Sequence, residues 1–251
     1  MNFVFGLEAA GLAAAITAVV ASFLLVAFIT LYTMHRVLRT HPMAVPVAPY
    51  FVAVTTVWAL LLSFVAADSW SANDDANRIL NEERSAIQRL EGLARIDSLG
   101  LEHLGEVVAT YRAAVVDAEW GDGRNRAHEP AAEAAIEEIR RALVEASLAG
   151  LPAALAAKAI ADFEALQDAR SHRLAMGKAP ADSAKWYLLL ALTGLAHIAI
   201  ALVHADRPPA AWPALILFAL ACWASLFVLA LYAQPYDGTV RIEPGGLLSA
   251  P

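Results

Sequence analysis

The sequence predicts an all-α integral membrane protein: four transmembrane helices, with a helical extramembrane bundle inserted between helices two and three. Three observations lead there. Of the 251 residues, 59% are hydrophobic and 17% charged, with a mean hydropathy of +0.53, where soluble domains are about half apolar and a quarter charged. Four stretches carry no Asp, Glu, Lys or Arg: Ala9 to His35, Thr40 to Ala67, Trp186 to Ala205 and Pro208 to Tyr236. Thirty-five of the 43 charged side chains lie between Asp68 and Lys185, and the eight outside cancel, so the whole formal charge of −7 sits on the central block. The expected organisation is 1–67 for the first two membrane helices, 68–185 for the acidic bundle, 186–236 for the last two membrane helices and 237–251 for a tail.

Each uncharged stretch contains an apolar core of roughly 18–25 residues, which at 1.5 Å per residue crosses a hydrocarbon slab of about 30 Å. Backbone groups in lipid must pair internally, and the period-two alternation of barrel strands is absent, so these are helices. The first stretch lacks the basic flank and small-residue cleavage site of a secretory signal and is read as a membrane helix. Its Ala10, Ala14, Ala18 and Ser22 recur at four-residue spacing, which lets a neighbouring helix approach closely. The second begins after Pro42, Pro46 and Pro49, residues whose missing N–H groups cost little in a first turn. One of its faces is small (Thr56, Ala59, Ser63, Ala66); the other is larger and apolar (Val54, Trp58, Leu61, Val65) and ends in the carboxylate of Asp68. That larger face suits lipid, a partner or a pore.

The central block reads as helices. Ala76, Ile79, Leu80, Ile87, Leu90 and Leu93 extend the second helix, and Leu101, Leu104, Val108, Tyr111 and Val115 share one face of the next. A third helix runs from Pro130 to Gly150 around Ile136, Ile139 and Leu143. A fourth starts near Pro152, uses Phe163, Leu166 and Leu174, and ends around Gly177 to Pro180. Short connections favour an antiparallel bundle.

Several function classes drop out. The single cysteine, Cys222, allows neither an intramolecular disulfide nor a cysteine-based zinc site. No phosphate-cradling glycine loop occurs, no cofactor motif is found, and an acidic block argues against nucleic acid. The segment Gly121-Asp122-Gly123-Arg124-Asn125 lacks the residue order of a calcium loop and reads as a turn. Glu83, Glu119, Arg170 and Arg173 read as ion pairs within the bundle. With no nucleophile or metal cluster beside them, the chain is not expected to be an enzyme.

The polar residues of the membrane stretches keep two readings. Thr193, His197 and His204 form a stripe on one helix face, suited either to a hydrogen bond with a neighbouring helix or to ion or proton passage. Asp68 and Trp70 lie where the second helix reaches the interface; Trp70 suits anchoring, and Asp68 either caps the helix or joins a carboxylate ring around an oligomer axis. His35 and His41 flank Arg36 and Arg39, a pattern suited to phospholipid headgroups, so membrane lipid is an expected partner. Arg36, Arg39 and Arg207 in the short loops favour a cytoplasmic location for those loops and an external acidic block in a plasma (inner) membrane. Arg170, Arg173, Lys178 and Lys185 weigh the other way.

The chain resembles the bestrophin-like domain family of four-helix, mostly bacterial membrane proteins over roughly residues 55 to 248. The resemblance rests on Asp68-Ser69-Trp70 at the exit of a membrane helix, Glu83 with Ala86-Ile87, and Tyr111 followed by Glu119-Trp120. Leu166, Arg170, Arg173, Leu174 and Trp186 follow in order, and the tail Gln234 to Pro244 resembles the family's Pro-aromatic-x-Gly pattern. Arg84-Ser85 departs from the Ala-Asn more usual there, and no bestrophin neck motif is found. The resemblance implies an oligomeric ion channel, by analogy with bestrophins, whose pore helix is second in sequence. On that basis Trp58, Leu61 and Val65 are expected to form an apolar constriction, with Asp68 making a cation-favouring mouth in a homo-oligomer. The alternative is a non-conducting membrane sensor or scaffold whose soluble bundle binds a partner.

Overall fold

The computed structural model describes residues 5, 7–41, 46, 48–96, 99, 101–120, 125–179, 182–237 and 239–248. Pro42, the turn from Gly121 to Arg124 and Pro180 lie outside them. The described residues form helices α1 (Ala9–Thr40), α2 (Ala48–Ala94), α3 (Glu102–Ala114), α4 (Pro130–Leu148), α5 (Ala153–Lys178), α6 (Ser183–Val203), α7 (Pro208–Leu231) and a short α8 (Gly245–Leu248). A π-helical turn, Val115–Glu119, follows α3. Four helices among the described residues are long and apolar enough to cross a membrane: α1, α2, the run that closes with α6, and α7.

Contacts divide the chain into two units, Met1–Ser71 with Ala181–Gln234 and Ala72–Pro180 with Pro235–Pro251. The first is the apolar unit. Its α1 buries Leu12, Ile16, Val20, Ala27 and Leu31, positions four or seven apart that share one face. Leu25, Val26 and Ile29 on the same helix stay exposed, as lipid-facing side chains can. Helix α1 packs on α6 and α7, and Leu189, Cys222, Leu226 and Trp186 complete that core. Asp182 starts α6 by accepting the backbone N–H groups of Ala184 and Lys185, at 3.1 and 3.4 Å, two donors a free helix end leaves unpaired.

The second is the acidic unit, where α3 packs on α4 and α4 on α5. Its core holds Leu90, Leu104, Val108, Tyr111, Ile136, Ile139 and Leu166, the residues placed inward by helical periodicity. Helix α4 ends in a Schellman turn: Gly150 takes a left-handed φ of 98°, Leu151 donates to the Ala146 carbonyl at 3.1 Å and Gly150 to Ser147 at 3.3 Å. The tail belongs to this unit. Trp120 donates its indole N–H to the Ile242 carbonyl at 3.1 Å, and Tyr236 stands edge-on to the Trp120 ring, centroids 5.7 Å apart.

Candidate functional site

The first half of α2 is where a pore face was expected, and the structure divides the expected residues. Trp58 and Val65 are buried within the apolar unit. Trp58 donates its indole N–H to the Thr193 hydroxyl at 2.9 Å and packs against Phe218, ring centroids 5.4 Å apart. Leu61 is half-buried against the same core. Asp68 is exposed and ion-paired with Lys185, which also lies 3.6 Å from Asp182. The face bearing Trp58 and Val65 is therefore turned into the protomer.

The adjacent face of α2 is bare. Val57, Leu60 and Phe64 are 54%, 56% and 65% exposed, and Ala53, Ala67 and Ser71 extend the same stripe, also exposed. Its alternating spacing of four and three residues keeps these side chains on one side of the helix.

The polar stripe on α6 is enclosed. Thr193 and His197 are fully buried and His204 is half-buried. Thr193 donates its own hydroxyl to the Leu189 carbonyl at 2.8 Å. His197 Nδ1 lies 2.8 Å from the Thr193 carbonyl, and His204 Nδ1 3.0 Å from that of Ile200. His197 Nε2 has no hydrogen-bond partner among the described residues; the ring stands edge-on to Phe218 with centroids 5.0 Å apart.

In the acidic unit, residues distant in sequence converge on Arg173. Its guanidinium is fully buried and grips Glu83 through two bonds, Nε to Oε2 at 2.7 Å and Nη2 to Oε1 at 3.1 Å. Nη2 also reaches Glu119 at 2.8 Å, Nη1 bonds the side-chain oxygen of Asn125, and the Trp120 ring lies 5.1 Å from the guanidinium carbon. Arg170 binds the other side of Glu119, with Nη2 to Oε1 at 2.5 Å, and extends to Glu133 at 2.9 Å. Tyr111 donates to Glu83 at 2.7 Å.

Two buried carboxylates thus face two buried guanidiniums and the cluster is neutral, the condition under which charges survive burial. Burial would raise the Glu119 carboxyl, but hydrogen bonds from Arg170 and then Arg173 outweigh it and hold the group below its usual range. Burial, reinforced by the Glu83 charge, lifts Tyr111 well above its ordinary value. Burial pushes Tyr236 up to about 12. With their oxygens occupied by arginines, Glu83 and Glu119 act as crosslinks. Among the described residues no group of three His, Cys, Asp or Glu side chains is arranged to hold a metal ion.

The bestrophin-like domain family matches residues 15–247. The chain belongs to the bestrophin-like family. Seven of the residues that carried the resemblance, Glu83, Tyr111, Glu119, Trp120, Arg170, Arg173 and Tyr236, meet in or beside one cluster in this bestrophin-like chain, whereas Asp68 and Trp186 lie in the apolar unit. Asn125 was not anticipated there. The order of the family residues was the available signal; their convergence needed the fold.

The bestrophin-like fold is also that of solved proteins. One variant of a bacterial bestrophin homologue from Klebsiella pneumoniae superposes with a TM-score of 0.73 at 12% identity, covering 92% of this chain and 94% of that one. Another variant of it gives 0.71 at 11% identity over 93% of each chain, and a membrane protein variant gives 0.72 at 12% over 93% and 94%. No curated protein matches in sequence.

Proposed function

We propose that several copies of this chain assemble around an axis and conduct ions, with the first half of α2 as the lining. The observation that carries the reading is the exposed Val57, Leu60 and Phe64 stripe on a helix whose adjacent face is committed to the protomer. Apolar rings of this kind gate by dewetting. Membership of the bestrophin-like family supports the reading. In it, four helices of each copy span the membrane and the acidic block lies between the second and third spans, outside the bilayer. Asp68 and the net acidity of the block favour cations at the mouth, with Lys185 offsetting part of the Asp68 charge. The role is not enzymatic: Glu83 and Glu119 are both occupied by arginines.

Planar-bilayer recording of the purified protein tests this. Conductance that Phe64→Ala increases and Asp68→Asn shifts away from cations is expected. No conductance under any ion gradient, or a monomer by cross-linking in native membranes, sinks it. The arginines at 36, 39 and 207 support a plasma (inner) membrane orientation with those loops in the cytoplasm and the acidic block outside. A periplasm-dependent reporter inserted at Ala127 is then active, and silence there reverses the orientation.

One observation favours the rival reading, a non-conducting sensor or scaffold. Between α4 and α5 an open groove of about 300 Å³ is bordered by Val144, Leu148 and Ile160, all exposed, Leu148 at 83%. A partner seated there protects a cysteine placed at position 148 from modification in native membranes but not after purification. Equal labelling in both removes this reading.

A further inference from the structure

A second exposed feature lies at the end of the apolar unit where α1 closes and α7 begins. There an open groove of about 1020 Å³ is bordered by Tyr32 and His35 from α1 and by Asp206, Arg207 and Trp212 from the α6–α7 turn and α7. Its walls are held in place. Trp212 donates to the Tyr32 hydroxyl at 3.1 Å and packs on Phe28, centroids 4.6 Å apart. His35 Nδ1 lies 2.9 Å from the Ala205 carbonyl, tying the end of α1 to the turn.

Depth and charge identify what the groove meets. Helix α1 has 32 residues, about 48 Å at 1.5 Å per residue, against a hydrocarbon core of about 30 Å. Counted from Leu12, the core is crossed by about Leu31, which puts Tyr32 and His35 at headgroup level, where Tyr and Trp gather. Arg36, Arg39 and Arg207 belong to this end, and Asp206 is its single carboxylate; Glu8, Asp68 and Asp182 belong to the opposite end of the unit. Arg207 Nε lies 3.3 Å from the Asp206 carboxylate, both side chains exposed, an arrangement that solvent screens. One turn toward the membrane interior, Ile29 lies below Tyr32 and Ile216 below Trp212, both exposed.

We infer that this groove is a seat for an anionic phospholipid, with the phosphate at Arg207, the glycerol region against the Tyr32–Trp212 pair, and an acyl chain over Ile29 and Ile216. The apolar continuation selects a lipid over a free anion, and the excess of arginine selects an anionic headgroup over a zwitterionic one. Channel activity is not required for it.

The full-length protein in detergent, given phosphatidylglycerol, phosphatidylcholine or inorganic phosphate, tests the inference by lipid retained in native mass spectrometry and by thermal shift. Phosphatidylglycerol is retained over phosphatidylcholine, and Arg207→Gln reduces that preference roughly fivefold, the weight of one basic side chain at an anionic surface. Asp206→Asn moves it the other way, which a loss of folding does not imitate. Inorganic phosphate alone gives no shift. Equal retention of the two lipids, an Arg207→Gln protein that matches the parent, or phosphate stabilising as well as phosphatidylglycerol each overturns the inference. Should Arg207→Gln fail to fold, Asp206→Asn decides: greater retention supports the seat and unchanged retention removes it.

Discussion

The backbone carbonyl of Asn125 occupies the place a side chain on Gly177 would take. A Cβ there would fall 1.8 Å from the Asn125 oxygen. Asn125 itself has a left-handed φ of 55°, a conformation asparagine tolerates better than most residues. Its N–H is fixed to the Glu119 carbonyl at 2.7 Å, and its side-chain oxygen to Arg173. Close approach of this loop to α5 is thus part of what encloses the ion-pair cluster.

Gly177→Ala is expected to destabilise the acidic unit by about 1–3 kcal/mol, because backbone and not a flexible side-chain end must move. Gly92→Ala is the control. Nothing lies within 4 Å of its added methyl, and removing a helical glycine should stabilise by roughly 0.5–1 kcal/mol. Thermal unfolding of the two variants should therefore shift in opposite directions.

Arg173→Met strands Glu83 without its bidentate partner, and losses of this kind cost about 3–5 kcal/mol. Combining it with Glu83→Gln removes the unpaired charge and should recover part of the loss. A double-mutant cycle in denaturant measures the coupling; simple additivity would show that the pair does not act as a unit.

Groups in and beside the cluster contribute at both ends of the pH profile. The Glu119 carboxyl is depressed in the folded chain, so its contribution is complete above its ordinary 4.5 and disappears as pH falls through the lower folded value. Glu119→Gln should flatten the acid limb of stability against pH. Tyr236 is the reverse case. Its raised value favours the neutral phenol in the fold, so that contribution is complete below its ordinary 10 and is lost as pH climbs through about 12. Tyr236→Phe should flatten the alkaline limb alone.

Trp58→Phe breaks the bond to Thr193 at a cost of about 1 kcal/mol while leaving the exposed α2 stripe intact. Thermal stability should fall and ion selectivity should not change; a selectivity change would return Trp58 to the pore.

Lys185→Gln removes the cation paired with Asp68. Reversal potentials under a salt gradient should then move toward cations, in the direction opposite to Asp68→Asn.

The helical class was legible because apolar residues recur at helical spacing in the charged block and the uncharged runs are long enough to cross a membrane only as helices. The split between apolar and acidic segments was legible because charge is so unevenly distributed along the chain. Helix ends were legible where local chemistry marks them, as at Pro130 and Gly150. The orientation of α2 was not. Val57, Leu60 and Phe64 precede Trp58, Leu61 and Val65 by one position, about 100° around the helix. In lipid both faces are apolar, because hydrocarbon does not penalise the side that avoids protein. Only the Trp58–Thr193 bond and the packing on Phe218 distinguish them. Glu83, Glu119, Arg170 and Arg173 were recognisable as ion pairs. Their enclosure by Asn125, Trp120 and Tyr236 depends on a π-helical turn at Val115–Glu119 and on a tail more than a hundred residues away, neither of which helical periodicity reports.

That tail has a consequence for biosynthesis. Trp120 meets the carbonyl of Ile242, and Tyr236 and Leu247 belong to the same buried core as Leu104 and Ile136. On a ribosome the helices of the acidic unit emerge well before these residues, and α6 and α7 are made in between. The unit's core therefore stays unfinished until both later apolar helices have been synthesised, which makes the tail a closing latch on a domain begun more than a hundred residues earlier.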